Sequence, residues 1–448
     1  MALTALAIFK LLPKTNCREC NYPTCLAFAM QLAAKKASLD ECPYVSDEAK
    51  AELDGASVPP IRLVTIGKGD RKLQVGNETV LFRHEQTFYH PTGLAVEVGD
   101  DLSDDQLKAR VEAINRLKFE RVGLKLEVDL VAVRDNGGDA ARYAHAVETA
   151  QAASDYPLVL ISDSADCLEA ALKVSKDGKP LICGANEQNL QQVGDMAKAG
   201  GCPLVVRSDS GLEKLAEMTQ KLMGSGLTDL LLDVGSRDTA QVLSQMTLIR
   251  RSALKKTFRP LGFPTIAFAD AQDPYLQAAQ ASAYLAKYAS IVVVTAAEPW
   301  QILPILTVRQ NIFTDPQKPI QVKPGIYSVG NPDQNSPVLV TTNFSLTYYT
   351  VEGDVEASRV PAYIAAIDTE GTSVLTAWAA EKLTVENVTE MLNQDGGAKD
   401  KVGHRKVIIP GLVAVMTAKL KEQSGWEVLV GPKESSGIPR FLKSEWSV

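Results

Sequence analysis

The sequence predicts an α/β protein in three parts: a small cysteine-bearing N-terminal module, a central (β/α)8 TIM barrel and a C-terminal doubly wound α/β domain. Three observations predict it. Between residue 94 and about residue 310, eight apolar strand-like runs alternate with eight helical segments, the repeat and the lower size range of a closed barrel. After a stretch rich in Pro, Asn and Gly, a shorter series of four strands begins, enough for a small doubly wound sheet. Four of the seven cysteines fall between residues 17 and 42. At 448 residues the chain is too long for one core. The expected divisions are 1–57, 58–310, a linker over 311–336, and 337–448.

The first module is built around Cys17, Cys20, Cys25 and Cys42, spaced C-x2-C-x4-C-x16-C. An iron–sulfur cubane needs four converging thiolates. Cys17, Cys20 and Cys25 can wrap one side, and Cys42 can return after an intervening helix. In that helix Thr24 is the expected N-cap, and Leu26, Met30 and Ala33/Ala37 form the expected apolar stripe. Cys25 then lies in the first turn, where the helix dipole favours a thiolate. A four-cysteine zinc site needs the same ligand count, but zinc ribbons pair two C-x2-C knuckles and only one is present. Two disulfides require an oxidising compartment that nothing else suggests. Ligand type and spacing therefore put [4Fe–4S] ahead of zinc. Ser46–Ala56 reads as a charged helix stopped by Val58-Pro59-Pro60.

The segments Ile61–Ile66 and Val80–Phe82 read as short strands or a hairpin ahead of the barrel. Barrel strands are expected at Leu94–Val98, Leu130–Arg134, Leu158–Ser162, Leu181–Ala185, Leu204–Ser208, Asp229–Val234, Thr265–Ala269 and Ile291–Ala296. Continuous apolarity, as in Ile291–Val294, is what strands buried on both faces require. An open doubly wound sheet is the alternative, because periodicity does not register closure. Several strands end in polar residues, among them Arg134-Asp135-Asn136, Ser162-Asp163-Ser164, Arg207-Ser208-Asp209, Asp233 and Asp270. Helix capping accounts for them more simply than catalysis does. His84, His90 and His145 carry no motif, and Cys167, Cys183 and Cys202 read as buried small hydrophobes.

The last domain is expected to have strands at Val338–Thr342, Ala362–Ile367, Lys406–Ile409 and Glu427–Val430. Each runs into a loop of small or hydroxyl residues: 341–345, 368–373, 410–412 and 431–437. Ligands of open α/β sheets bind in the crevice at such strand ends. Loops of this kind suit a large, flat, amide-bearing cofactor, although Gly, Ser, Thr and Asp are also ordinary turn residues.

Composition limits the function classes. Apolar content of 45%, charged content of 23% and a formal charge of −7 describe an ordinary globular chain. With no basic run, they argue against nucleic acid. No apolar run approaches the roughly twenty residues that span a bilayer. The expected location is the cytoplasm.

Taken together, the cysteine spacing, the eight βα units and the segment Val340-Thr-Thr-Asn-Phe-Ser-Leu-Thr-Tyr-Tyr349 resemble the large (gamma) subunit of the corrinoid iron–sulfur proteins over the full chain. Asn16-Cys-x-x-Cys20 and Ser424-Gly425-Trp426 belong to the same likeness. That family implies a methyl carrier of the reductive acetyl-CoA pathway, taking part in methyl transfer rather than acting as a stand-alone catalyst. Its cobalt accepts a methyl group from a methyltetrahydrofolate-dependent methyltransferase and passes it to CO dehydrogenase/acetyl-CoA synthase. The implied partners also include a small subunit, forming a heterodimer, and a low-potential electron donor. The resemblance implies that Cys17, Cys20, Cys25 and Cys42 hold the [4Fe–4S] cluster. It implies that the corrinoid lies against Thr341, Thr347, Gly371, Thr372, Ser373, Val374 and Ser435.

No Asp-x-His-x-x-Gly pattern occurs, and His404 is the sole histidine of the last domain. The expectation is a base-off corrinoid without a protein nitrogen as lower ligand. The cluster would return Co(II) to Co(I), and 311–336 would serve as a hinge. The rivals are an electron-transfer subunit without corrinoid and a stand-alone pterin-dependent methyltransferase.

Overall fold

The structure is a computed structural model that describes residues 5–33, 37, 41–46, 49, 59–315 and 319–447. It divides into two compact units, Met1–Phe119 with Glu127–Phe313, and Glu120–Leu126 with Thr314–Val448.

The N-terminal part of the first unit pairs helix Ala5–Leu11 with helix Cys25–Ala33. Thr24 caps the second helix as expected, its Oγ1 accepting from the Ala27 amide at 3.1 Å. The buried face differs from the expected stripe. Cys25, Phe28 and Ala29 point inward, while Leu26 and Met30 are exposed. Phe28 decides the rotation: it is the bulkiest side chain of the helix and packs on Tyr22 at 5.4 Å between ring centroids, burying more apolar area than Leu26 could. Of the expected helix Ser46–Ala56, only Ser46 and Ala49 lie among the described residues. There the Ala49 amide donates to Ser46 Oγ at 3.1 Å.

An antiparallel hairpin, β1 (Val64–Ile66) and β2 (Leu73–Val75), comes next. Val80–Phe82, expected as a strand, is not one. Val64, Ile66 and Val75 join Leu130, Leu181 and Ile291 from the first positions of barrel strands in one buried cluster. The hairpin therefore plugs the amino-terminal end of the barrel. Strand β3 (Gly93–Gly99) opens the barrel. It is followed by the small hairpin β4 (Lys118–Arg121) and β5 (Leu124–Glu127), which the sequence reading missed. Its turn residues Val122 and Gly123 both have positive φ, the geometry of tight hairpin turns.

The remaining barrel strands are β6 (Leu130–Arg134), β7 (Leu158–Ile161), β8 (Leu181–Ala185), β9 (Leu204–Arg207), β10 (Leu230–Asp233), β11 (Ile266–Ala269) and β12 (Ile291–Val294). All neighbours are parallel, in the order β10-β9-β8-β7-β6-β3-β12-β11. A bridge from Leu232 to Thr265 joins the two ends, so the sheet is a near-closed barrel rather than an open one. Strands β7, β10, β11 and β12 are buried at every position, as two-sided coverage demands.

The second unit holds β13 (Gly325–Val329), β14 (Val338–Thr342), β15 (Ala362–Ile367), β16 (Lys406–Ile409) and β17 (Glu427–Val430), in the order β13-β15-β14-β16-β17. The four parallel strands run 2-1-3-4 in chain order, so the connection reverses between β14 and β16. Helices cover both faces. One core forms around Trp426, Leu392 and Val388, the other around Tyr348, Val355 and Ile364. The stretch 311–336, expected to be a linker, contains regular elements among its described residues. Helix Pro299–Phe313 runs into it, and β13 pairs antiparallel with β15. An antiparallel edge strand flanked by Pro and Gly carries no alternation strong enough to read.

Candidate functional site

Open α/β sheets leave a crevice where the strand order reverses. In the second unit that place is the carboxyl ends of β14 and β16, and a cavity of about 320 Å3 lies there. Thr341, the last residue but one of β14, lies on its wall. Helix Ser345–Ser358 supplies Leu346, Thr347, Thr350 and Val351, a set at helical spacing. Ser373 and Val374 come from the loop after β15, Leu412 from the loop after β16, and Lys433 and Ser435 from the loop after β17. Lys433 is the single charged residue among these lining residues, and none is a histidine. The two last loops touch closely: the Gly411 amide donates to the Pro432 carbonyl at 3.0 Å. A Cβ on Gly411 would stand 2.5 Å from the Gly431 carbonyl oxygen.

Thr341 Oγ1 is buried without a hydrogen-bond partner. Buried hydroxyls are nearly always satisfied, so an unpartnered one on a cavity wall is a donor and acceptor held ready for something else.

Five of the seven expected positions, Thr341, Thr347, Ser373, Val374 and Ser435, line this cavity. Gly371 and Thr372 do not. They form the turn beside it, where Gly371 has φ +70° and Thr372 Oγ1 donates to the Thr369 carbonyl at 2.7 Å. The turn is held by Asn343, which is fully buried. Its Oδ1 accepts from the Thr369 amide and hydroxyl at 3.0 Å and from the Gly371 amide at 3.1 Å. Its Nδ2 donates to Gln321 and Asp368. Leu412 and Lys433 come from loops expected to border the crevice, whereas the sequence reading missed Leu346 and Thr350. These last two share a helix face with Thr347, a signal the spacing contained. His404 precedes β16, at the opposite end of the strand from the cavity. Both its ring nitrogens are engaged, with the Ser336 carbonyl at 3.0 Å and the Lys406 amide at 3.2 Å.

In the N-terminal part, Cys20, Cys25 and Cys42 share one small core with Ile8, Leu12 and Phe28, and Cys17 is exposed. Among the described residues, no three His, Cys, Asp or Glu side chains stand close enough together to hold a metal. The backbone around the cysteines is unusual nonetheless. Lys14, Asn16, Arg18 and Asn21 all have positive φ, a concentration of costly conformations of the kind found at ligand sites. The Asn16 amide donates to Cys25 Sγ at 3.4 Å, and Asn16 Oδ1 accepts from the Cys25 amide at 2.8 Å.

At the barrel's carboxyl-terminal mouth, Ser164 is the one residue of the polar strand ends that caps the following helix as expected; the other caps, Asp139, Asp238 and Asp273, lie farther along their loops. Arg134, Asp135, Asp163, Arg207 and Asp233 instead face a cavity of about 310 Å3.

Residues 63–442 match the sequence family described as "CO dehydrogenase/acetyl-CoA synthase delta subunit", and residues 12–44 match one described as "Putative Fe-S cluster". The chain is 47% identical to the corrinoid/iron-sulfur protein large subunit of Moorella thermoacetica, covering 99% of both chains. It is 38% identical to the acetyl-CoA decarbonylase/synthase complex subunit gamma of Methanothermobacter thermautotrophicus, again over 99% of each. A solved 7,8-dihydropteroate synthase from Vibrio fischeri is similar only at TM-score 0.38 and 16% identity, over 50% of this chain and 95% of that one, too slight to bear on function. Full-length identity at these levels, with the crevice and the cysteine core in the matching regions, places the chain in the family of corrinoid/iron-sulfur protein large subunits and acetyl-CoA decarbonylase/synthase gamma subunits.

Proposed function

We propose that this protein is a methyl carrier that binds a corrinoid in the crevice of its second unit and an iron–sulfur cluster in its N-terminal cysteine core. The observation that carries the proposal is the cavity at the β14/β16 reversal, with the unpartnered Thr341 hydroxyl on its wall. The lining fits a macrocycle edged with amides. Hydroxyls of Thr341, Thr347, Ser373 and Ser435 can donate to amide carbonyls, while Leu346, Val374 and Leu412 cover apolar ring edges and exclude water. Gly371 and Thr372 act one step away, as the turn that Asn343 holds in place.

When bound, the corrinoid supplies a cobalt that takes a methyl group from methyltetrahydrofolate, by way of a methyltransferase, and yields it to acetyl-CoA synthase, while the [4Fe–4S] cluster supplies the electron that returns Co(II) to Co(I). The chain's own residues hold and orient. His404 is tied to the far end of β16 and would not be among the residues that hold the corrinoid, which the hydroxyl and aliphatic lining of the crevice would cradle. For the cluster, the proposed ligands are Cys17, Cys20, Cys25 and Cys42. The donor chemistry fits, since four free thiols fall within residues 17–42 and the Asn16 amide donates to Cys25 Sγ, the kind of N–H···S bond that tunes cluster ligands.

The proposed partners are the small subunit of the heterodimer, the methyltetrahydrofolate-dependent methyltransferase, CO dehydrogenase/acetyl-CoA synthase and a low-potential electron donor. Within 311–336, the proposed hinge, Ile320 and Val322 are already bonded to Ser345 and Asn343.

Cobalt and iron quantitation on the anaerobically purified protein tests the reading. The expected result is one cobalt and about four iron atoms per chain. Cys25→Ala is expected to lose the iron and keep the cobalt. Zinc in place of iron, or a cobalt-free protein that cannot be loaded with corrinoid, overturns it.

A further inference from the structure

The crevice of the second unit carries one charge in an otherwise uncharged lining. Lys433 supplies it, from the loop after β17, among hydroxyl and aliphatic side chains. Its backbone is fixed on both sides. The Pro432 carbonyl accepts from the Gly411 amide at 3.0 Å, and the Glu434 carbonyl accepts from the Gly437 amide at 3.0 Å. A Cβ on Gly411 would stand 2.9 Å from the Lys433 backbone nitrogen, so the two loops meet closely at this residue.

The ammonium group itself is not engaged. Lys382, Lys399 and Lys419 of the same unit each pair with a carboxylate. Lys433 has no such partner among the described residues. Glu434, the carboxylate beside it in the chain, is exposed and is not part of the crevice lining. An exposed lysine is ordinarily just solvated. Lys433 differs in where it stands, on a cavity whose wall also holds the buried, unpartnered Thr341 hydroxyl. Buried hydroxyls are nearly always satisfied, so that cavity is shaped for a polar ligand, and the lysine borders it.

Charge narrows what Lys433 meets there, given the corrinoid proposed above, on which this inference rests. The macrocycle attracts a cation weakly. Its peripheral groups are neutral amides, and its metal centre is neutral as Co(I) and positive in the higher oxidation states. A complete corrinoid has a single anionic group, the phosphodiester of its nucleotide loop. A lysine ammonium is a point charge on a flexible stem and binds phosphate oxygens without demanding a fixed approach.

We infer that Lys433 is the contact for the phosphodiester of the corrinoid nucleotide loop, and that the crevice thereby favours complete corrinoids over those lacking the loop.

The test uses the full chain with its cluster intact and its corrinoid removed, under anaerobic conditions. Binding is followed by absorbance with cobalamin and with cobinamide, which has the same ring and amides but no phosphate or nucleotide. Both are reduced to Co(I), a state in which neither carries a lower base on cobalt. Lys433→Gln should weaken cobalamin binding by about tenfold and leave cobinamide binding unchanged. Lys433→Arg, which keeps the charge, should keep the preference for cobalamin. In the unaltered protein that preference should fall as salt is raised. Equal loss of both ligands in Lys433→Gln, no loss of cobalamin, an arginine variant as weak as the glutamine one, or a preference indifferent to salt each overturns the inference and leaves the crevice as the corrinoid site. Unaltered protein that binds neither ligand overturns the site itself, and the assignment of Lys433 with it.

Discussion

The barrel mouth and the crevice of the small sheet arise from the same rule and have opposite chemistry. Both lie at the carboxyl ends of parallel strands, where backbone groups and loop side chains converge. In the barrel those ends carry three arginines and their carboxylates. In the small sheet they carry hydroxyls, aliphatic groups and one lysine. The contrast extends to the cores. The first unit contains a buried ion pair, Arg250 with Glu78, whose side chains are 6% and 9% exposed. In the second unit every ion pair among the described residues has at least one largely exposed partner. Topology thus decides where a crevice forms, and residue chemistry decides what lines it: paired charges in one, hydroxyls and aliphatic groups in the other.

Three substitutions would break or sharpen this contrast. The largest effect is expected from Arg250→Ala, which strands a buried carboxylate and removes two bonds to the Val80 carbonyl. The loss should be about 3–5 kcal/mol, confined in a calorimetric trace to the first unit. Burial already raises the Glu78 pKa against the opposing Arg250 charge. Without Arg250 it should rise further, so the folded state binds a proton more readily than the unfolded one. The deficit should then shrink as pH falls through the folded-state value. A deficit independent of pH would mean that lost packing, not a stranded charge, is responsible.

Asn343→Ala comes next. It removes the acceptor shared by the Thr369 and Gly371 amides and the Thr369 hydroxyl. A loss of about 2–4 kcal/mol is expected, confined to the second unit, with weaker corrinoid retention. Full retention would show that the 369–372 turn is not needed to shape the crevice. The smallest effect is expected from Thr341→Val, and its sign should depend on the cofactor. Removing an unpartnered buried hydroxyl should stabilise the corrinoid-free protein by about 1 kcal/mol. The loaded protein should release corrinoid about fivefold more readily. Equal shifts in both forms would disconnect Thr341 from the cofactor.

Much of the architecture was legible because its signals are local. The apolar runs placed β6, β8 and β14–β17 to the residue, since the buried positions of a strand admit almost no polar residue. The reading failed where partners distant in sequence decide the outcome. The β4–β5 hairpin and β13 have weak alternation and exist because of turn geometry or edge pairing. Leu26 and Met30 satisfy a helical stripe, yet the heavier Phe28 turned the helix away from it. Around the crevice, a list of small loop residues could not separate Ser373, which lines the cavity, from Thr372, whose hydroxyl is spent on its own turn.

From the amino-acid order alone came the three-part plan, the cysteine spacing and the positions of the strand-end loops, because periodicity, turn chemistry and thiol spacing act over a few residues. Tertiary structure alone decided that the barrel closes through Leu232 and Thr265, that Thr341 keeps an unanswered hydroxyl, and that Arg250 meets Glu78 in a buried ion pair. Each of these depends on atoms brought together from far along the chain, and no local pattern encodes which buried polar group is left without a partner.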